Sequence, residues 1–227
     1  MSLLGKAAVA IWHDVPPATR ADYFEWHNRE HMAERVGIPG FLRGRRYTAL
    51  RGQPEFFTLY EAKSLEALTG PDYTARLNQP TPWTRRVAPQ LHGNVRSLCR
   101  VALSLGAGQG GLLMTLRYDV APGHETAHRA LLESGLRALA GRPGIVGAHL
   151  CLGDTAASSV QTEEKKSRPT QALTPNWVVL VEGGGERQAL EDSCAELLPA
   201  ALLIDAGAQD IAIGFYQFQF QAGSEFN

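Results

Sequence analysis

The sequence predicts an α+β fold built from two tandem βαββαβ units, and three internal echoes carry that prediction. Val9-Ala10-Ile11-Trp12-His13-Asp14-Val15 is matched by Met114-Thr115-Leu116-Arg117-Tyr118-Asp119-Val120. Pro39-Gly40-Phe41 is matched by Pro143-Gly144-Ile145, and Thr58-Leu59-Tyr60-Glu61 by Val179-Leu180-Val181-Glu182. The order of the landmarks agrees, and their spacing drifts only by loop-sized amounts. That pattern reads as a tandem duplication with units at 1–106 and 107–227, each of ordinary domain size.

Each element has its own signal. An apolar strand over 5–13 ends at Val15-Pro16-Pro17, and Thr19 reads as the N-cap of a helix that Gly37 and Pro39 stop. Strands over 41–50 and 55–62 flank the turn Arg51-Gly52-Gln53-Pro54. A helical stretch over 64–91 is broken near Gly70-Pro71 and Pro80-Thr81-Pro82, and a strand over 94–105 closes the first unit. The second unit repeats the order: strand 112–120, helix 124–140, strands near 145–152 and 177–182, helix 186–200 and strand 210–220. In the last strand Phe215, Tyr216, Phe218 and Phe220 interleave with Gln217 and Gln219. Residues 156–175, rich in Glu, Lys, Ser, Thr and Pro, read as a flexible hairpin loop, and 223–227 as a frayed tail. The arrangement is ferredoxin-like. Its two sheets should pack together and enclose a cavity between or beside them.

Hydrophobic residues make up 44% and charged residues 20% of the 227, enough apolar content for a real core. A net charge of −1 provides no general field for nucleic acid, which is not expected as a partner. Arg43, Arg45 and Arg46 cluster on one strand and read as an anion contact or a solvated face. Cys99, Cys151 and Cys194 are odd in number and lack C-x-x-C spacing, so they read as reduced, buried thiols of a cytoplasmic protein. The short apolar N-terminal run has no cleavage pattern after it, and no run reaches membrane-spanning length, so no membrane partner is expected.

The units disagree on the first helix. With Asp14 on Asp119, His27 falls on Leu132, His31 on Leu136, Glu34 on Leu139 and Arg35 on Ala140. These positions share one helical face with Phe24, so the first unit puts two imidazoles, a carboxylate and a guanidinium where the second puts hydrocarbon. Unpartnered buried polar groups cost roughly 1–3 kcal/mol each. Either the groups satisfy one another as a cluster pinning helix to sheet, or they form a ligand or proton-transfer site. Tyr60 and Glu61, Arg46 and Tyr47, and His13 and Asp14 can be drawn to the same face. Trp26 and Trp83 read as packing residues able to wall an apolar pocket.

His27-Asn28-Arg29-Glu30-His31 also matches H-x-x-E-H, in which imidazoles four apart on a helix share a zinc ion and a glutamate polarises its water. The third ligand of such sites is a glutamate well downstream, and residues 95–124 contain none. No residue is assigned as a metal ligand on this basis, and a metal-dependent hydrolase stays as a lesser alternative.

Trp26-His27-x-x-Glu30-His31, then Val36-Gly37-Ile38-Pro39-Gly40-Phe41 and Arg45-Arg46-Tyr47, resembles the dimeric α/β-barrel superfamily. The likeness is greatest to members such as the ethyl tert-butyl ether degradation protein family, and covers residues 9–100. It implies that the two ferredoxin-like units pair face to face as an intramolecular eight-stranded barrel. It also implies a site for a small organic molecule, in a group that includes cofactor-free monooxygenases, lactone isomerases and haem-binding or haem-degrading proteins. Most relatives are single-unit homodimers, whereas this chain is fused, and pairing of two copies stays open. By analogy the first unit keeps the site and the second is scaffold.

The leading expectation is a cofactor-independent enzyme, monooxygenase-like or isomerase-like, acting on a small organic substrate. His31 serves as general base or acid, His27 assists and Glu34 orients an imidazole. Arg46 and Tyr60 bind a substrate oxygen, with Trp26 and Arg35 completing the substrate contacts. The alternative is a non-catalytic protein binding a small molecule or haem. The residues themselves name no cofactor.

Overall fold

The computed structural model describes residues 3–167 and 174–223. Most of the tail at 223–227, and the 168–173 part of the loop, therefore lie outside the described residues. The first half runs β1 (Ala7–Asp14), α1 (Arg20–Trp26), a π-helical turn (His27–His31), α2 (Met32–Val36), β2 (Phe41–Arg51) and β3 (Phe56–Ala62). It continues through α3 (Leu65–Thr69), α4 (Pro71–Asn78) and α5 (Pro82–Val87) to β4 (His92–Gly106). The second half runs β5 (Leu112–Val120), α6 (Glu125–Ala140), β6 (Ile145–Gly153), α7 (Thr155–Ser159) and α8 (Glu163–Lys166). It ends with β7 (Trp177–Gly183), α9 (Arg187–Leu197), α10 (Ala200–Asp205) and β8 (Ala208–Gly223).

The strands close into a barrel in the order β1-β3-β2-β8-β5-β7-β6-β4. Every pairing is antiparallel. The first half has the order β4-β1-β3-β2 and the second β8-β5-β7-β6, which is the same arrangement. The halves are sewn along two seams, β2 with β8 and β4 with β6. The expected α+β barrel of two ferredoxin-like units is therefore present, with hydrogen-bonded edges at both seams.

Strand alternation splits the side chains into two layers. Ala8, Ala10, Trp12, Tyr47, Phe57, Leu59, Leu113, Leu180 and Tyr216 fill the barrel. Val9, Met32, Phe41, Tyr60 and Leu98 pack outside it under the helices of the first half, and Leu116, Leu132, Leu136, Leu139 and Val179 under those of the second.

Several expectations change in detail. Thr19 does not cap α1: a 3₁₀ turn over Pro17–Thr19 precedes the helix, and the Thr19 hydroxyl donates to the Pro16 carbonyl at 3.2 Å. The described part of the 156–175 loop holds α7 and α8, with Asp154 and Thr162 as N-caps accepting from Ala157 and Lys165. The even alternation read in β8 is interrupted where Arg46 pairs with Phe220 but Tyr47 with Phe218. That bulge leaves Phe218 against the barrel core and turns Phe220 to the helix side.

The arginines of β2 are not a solvated face. Arg43 and Arg45 point into the barrel, and Arg46 points out beneath the helix. Arg43 clasps Glu61 through Nε and Nη2 at 2.8 and 2.9 Å. Arg45, fully buried, lies 3.0 Å from Glu61 and donates to both oxygens of Glu182 at 3.1 and 3.2 Å. Burial alone would raise the Glu182 carboxyl, but His149 and Arg45 overcome it and hold its pKa at about 2.

Removing one member of a buried ion network leaves its partner uncompensated, at a cost of about 3–5 kcal/mol. Arg45→Leu is therefore expected to destabilise the protein by that amount in urea denaturation followed by tryptophan fluorescence. Arg45→Leu combined with Glu182→Leu should recover part of the loss. Equal stability of Arg45→Leu and the parent would contradict the assigned role.

Candidate functional site

The outward face of β1, β3 and β2 meets the α1–π–α2 segment, and the candidate residues gather there. The cause is a single extra residue. Gly37 lies 23 residues after Asp14, whereas Gly141 lies 22 after Asp119. In the second half that span holds the uninterrupted helix α6. In the first half the surplus is taken up by the π-helical turn His27–His31. Such turns bulge one residue into a helix and recur at functional sites.

The turn revises the residue matching between the halves. Beyond it the offset changes by one, so Met32 matches Leu136 and Arg35 matches Leu139, all four buried. Glu34 then falls on the helix edge. Before the turn the earlier matching holds, and it pairs Tyr23 with His128 and His13 with Tyr118. These form one interaction in exchanged positions: His13 Nε2 to Tyr23 Oη at 3.0 Å, and Tyr118 Oη to His128 Nε2 at 2.8 Å. The His13–Tyr23 pair is thus common architecture tying helix to sheet, whereas His27 and His31 belong to the first half.

His27 and His31 are 3% and 7% exposed, with ring centroids 5.6 Å apart. His31 lies on the Trp26 ring, with centroids at 4.2 Å, and Trp26 is fixed by its Nε1 donating to Thr84 Oγ1 at 3.1 Å. Arg46 Nη1 is 3.1 Å from His27 Nδ1. A guanidinium can only donate, so Nδ1 accepts and the imidazole carries its proton on Nε2. Arg46 is itself held by Gln219 Oε1 at 3.1 Å, and its guanidinium carbon lies 4.8 Å from the centre of the Phe24 ring. Residue 219 is at the β8 bulge, so that irregularity supplies the arginine's anchor.

A cavity of about 20 Å³ lies among His13, Tyr23, His27, His31, Thr58 and Tyr60, with Ile11 and Leu91 on its apolar sides. It has room for one molecule the size of water or dioxygen. Tyr60 Oη and Thr58 Oγ1 are buried there without a hydrogen-bond partner. Burial raises the Tyr60 hydroxyl well above the ordinary tyrosine range, so it stays protonated and can donate.

His27, His31, Trp26, Arg46 and Tyr60 therefore converge. Glu34 and Arg35 lie beyond them on α2. The Glu34 carboxylate is 3.9 Å from His31 Nδ1, outside hydrogen-bond range, and instead meets Arg35 at 3.1 Å and Arg76 at 3.2 Å. Burial raises the Glu34 carboxyl above the usual carboxylate range, against the pull of these two arginines. Arg35 also pairs with Glu164 of α8. Tyr23 and Thr58 were not anticipated, although Tyr23 is one helical turn before His27 and Thr58 two residues before Tyr60 on the same strand face.

The H-x-x-E-H residues are not arranged as a shared set of metal ligands. The Glu30 carboxylate accepts from Thr81 Oγ1 at 2.6 Å, and His27 Nδ1 faces a guanidinium that repels a cation. No group of three His, Cys, Asp or Glu side chains able to hold a metal occurs among the described residues.

No family model and no curated protein matches the chain. Solved structures do. An anthrone oxidase-like protein matches with a TM-score of 0.66 at 14% identity over 99% of this chain and 96% of its own. A protein from Fusobacterium nucleatum subsp. nucleatum, inferred to be a monooxygenase, matches with a TM-score of 0.60 at 9% identity over 97% and 96%. A third, from Lactobacillus acidophilus and likewise inferred to be a monooxygenase, gives 0.58 at 11% over 96% and 97%. At these identities the likeness shows the fold: this chain shares the α/β-barrel architecture of monooxygenase-like proteins over its whole length.

Burial first, and then the charges of Arg46 and the neighbouring histidines, hold His27 well below the ordinary imidazole range, so it is neutral when folded. The unfolded chain takes up that proton near pH 6.5. Below that pH the unfolded state binds more protons, so folding stability falls as the medium is acidified. The melting temperature should therefore drop between about pH 7 and about pH 5.5, and His27→Leu should make the drop smaller. His128, lowered chiefly by burial, accounts for a residual slope. An unchanged slope in His27→Leu would show that His27 is charged in the folded state.

Proposed function

We propose that the cavity beneath the π-helical turn is the active site of an enzyme oxidising a small organic molecule without a cofactor. One observation carries this reading. Two buried hydroxyls without partners, Tyr60 Oη and Thr58 Oγ1, face a space shared with two imidazoles, and the second half has Leu132 in the place of His27. Each unsatisfied hydroxyl costs about 1–3 kcal/mol, an expense that a bound oxygen atom removes.

The roles follow from the geometry. His31 takes a proton from an activated carbon or hydroxyl of the substrate. Tyr60, Thr58 and the Nε2 proton of His27 donate to the oxygen on which negative charge develops, and the Arg46 cation behind His27 stabilises the same charge. Trp26 fixes the His31 ring. Glu34 and Arg35 hold α2 against α8 and remain outside the reacting set. An organic substrate parts the lining side chains as it enters, and dioxygen is the right size for the cavity. For an activated methylene, the overall change is loss of two hydrogens and gain of one oxygen, the other oxygen atom leaving as water.

The motif shared with the ethyl tert-butyl ether degradation proteins supports placing the chain near them. The like strand order and the exchanged His–Tyr pair support an origin by duplication, with the site kept in the first half. The reduced state expected for Cys99, Cys151 and Cys194 fits a cytoplasmic location.

Oxygen uptake with anthrone, an activated methylene compound, is the test. His31→Leu should lower kcat/KM by roughly 10²–10⁴, and Tyr60→Phe by roughly 10²–10³, with melting temperatures near that of the parent. Glu34→Gln should leave turnover within a few fold. Full activity in folded His31→Leu, or no oxygen uptake by the parent, would overturn the proposal.

A further inference from the structure

A second, larger cavity lies one strand away from the first. It measures about 70 Å³ and sits between α3, α4 and β4 of the first half and the α7–α8 segment of the second. By the measure in which one water needs about 10–15 Å³, it holds a body of roughly five or six heavy atoms, the size of a single ring. Its floor and walls include Leu68, Tyr73, Leu77 and Leu98, and its roof Ala157 and Val160.

The roof is fastened to the first half at three points. The Leu98 amide donates to Ser158 Oγ at 3.0 Å, the Glu163 amide donates to Asn78 Oδ1 at 3.1 Å, and Glu164 pairs with Arg35. These contacts join the two halves across an otherwise open flank. They roof, in part, what a strand and a helix alone would leave as a groove.

Among the described residues, one cation of this chamber has no carboxylate. Glu164 is the carboxylate among its lining residues, and Arg35 neutralises it. Arg96 also lines the chamber, half-buried; its partner is the Tyr73 hydroxyl at 3.2 Å, and it makes no ion pair among the described residues. An apolar body with one negative group would complete both the packing and the charge.

We propose that this chamber binds a small carboxylic acid with an apolar body, its ring or branched chain against Leu68, Leu77 and Leu98 and its carboxylate on Arg96. A charge-assisted bond from a guanidinium to a carboxylate is roughly twice as strong as a neutral one, so the acid is favoured over its alcohol. The site stands independently of the reaction in the inner cavity. It is nevertheless adjacent to it, because Arg96 is in register with Ile11, which lines the smaller space.

The test is isothermal titration of the full chain with benzoate, benzyl alcohol and acetate. Benzoate should bind in the millimolar range or tighter, benzyl alcohol about tenfold more weakly, and acetate not measurably. Arg96→Gln should cut benzoate affinity by about tenfold while leaving benzyl alcohol unchanged, and Leu77→Trp, which fills the chamber, should abolish both. Circular dichroism establishes that each variant is folded. If Leu77→Trp does not fold, a benzoate-induced shift of the Leu68 and Leu98 methyl resonances in the parent makes the same assignment. His31→Leu should bind benzoate like the parent, which separates this site from the proposed active site. Absence of benzoate binding, indifference to Arg96→Gln, or loss in His31→Leu would overturn the proposal.

Discussion

The structure depends on keeping two buried carboxylates neutralised inside the barrel. Glu61 and Glu182 occupy matching places on β3 and β7, and both point into the interior. Neither half can satisfy both of them. Arg45 of the first half lies between the two, within 3.0 Å of Glu61 and 3.1 Å of Glu182, and the place matching Arg45 on β6 is His149, 3.5 Å from Glu182. The pair of seams fixes the backbone, but this network fixes which interior faces which. An ion network replaced by hydrocarbon can be as stable, so its distinctive contribution is registry: a slipped seam would leave a carboxylate buried without a cation.

Closure of the barrel also explains how the halves can differ so much outside it. Once interior and seams are satisfied, the helix layer of each half is a separate packing problem. The second half solves it with Leu132, Leu136 and Leu139, all fully buried. The first half keeps the His–Tyr tie in exchanged form and then inserts one residue. The π-helical turn widens the helix at His27 and His31 without displacing α2, because Met32 and Arg35 return to the buried face. Space beneath the turn and polar side chains around it thus have one local cause.

Much of this was legible in the sequence, for identifiable reasons. The strands showed through alternation and the helix ends through glycine and proline, because those signals depend on local sterics. The one-residue surplus was also present in the spacing from Asp14 to Gly37, but a constant offset concealed it and misplaced Glu34 and Arg35 against the second half. The inward direction of Arg43 and Arg45 was not legible, since an arginine on a strand looks alike whether it meets solvent or a carboxylate far along the chain. The bulge that brings Gln219 to Arg46 was hidden too, because the alternation of β8 continues through it in the sequence. Convergence of His27, His31, Arg46 and Tyr60 could be suspected from shared faces, while the orphaned hydroxyls of Thr58 and Tyr60 required coordinates.

The electrostatics of the two cavities then belong together. Inside the barrel Arg43 and Arg45 meet carboxylates, whereas outside it the first half carries Arg46 against an imidazole and Arg96 against a phenol. A cation whose partner is neutral leaves a positive potential, the less screened the deeper the group lies. Such a potential is costly in an empty protein and becomes favourable when negative charge arrives or develops nearby. Each cavity borders one such cation, Arg46 behind the inner one and Arg96 in the wall of the outer one, and both proposals rest on that shared feature. The second half has Leu132 in the place of His27 and a His–Tyr tie of its own, and it contributes the seams, the Glu182 contact and the α7–α8 roof.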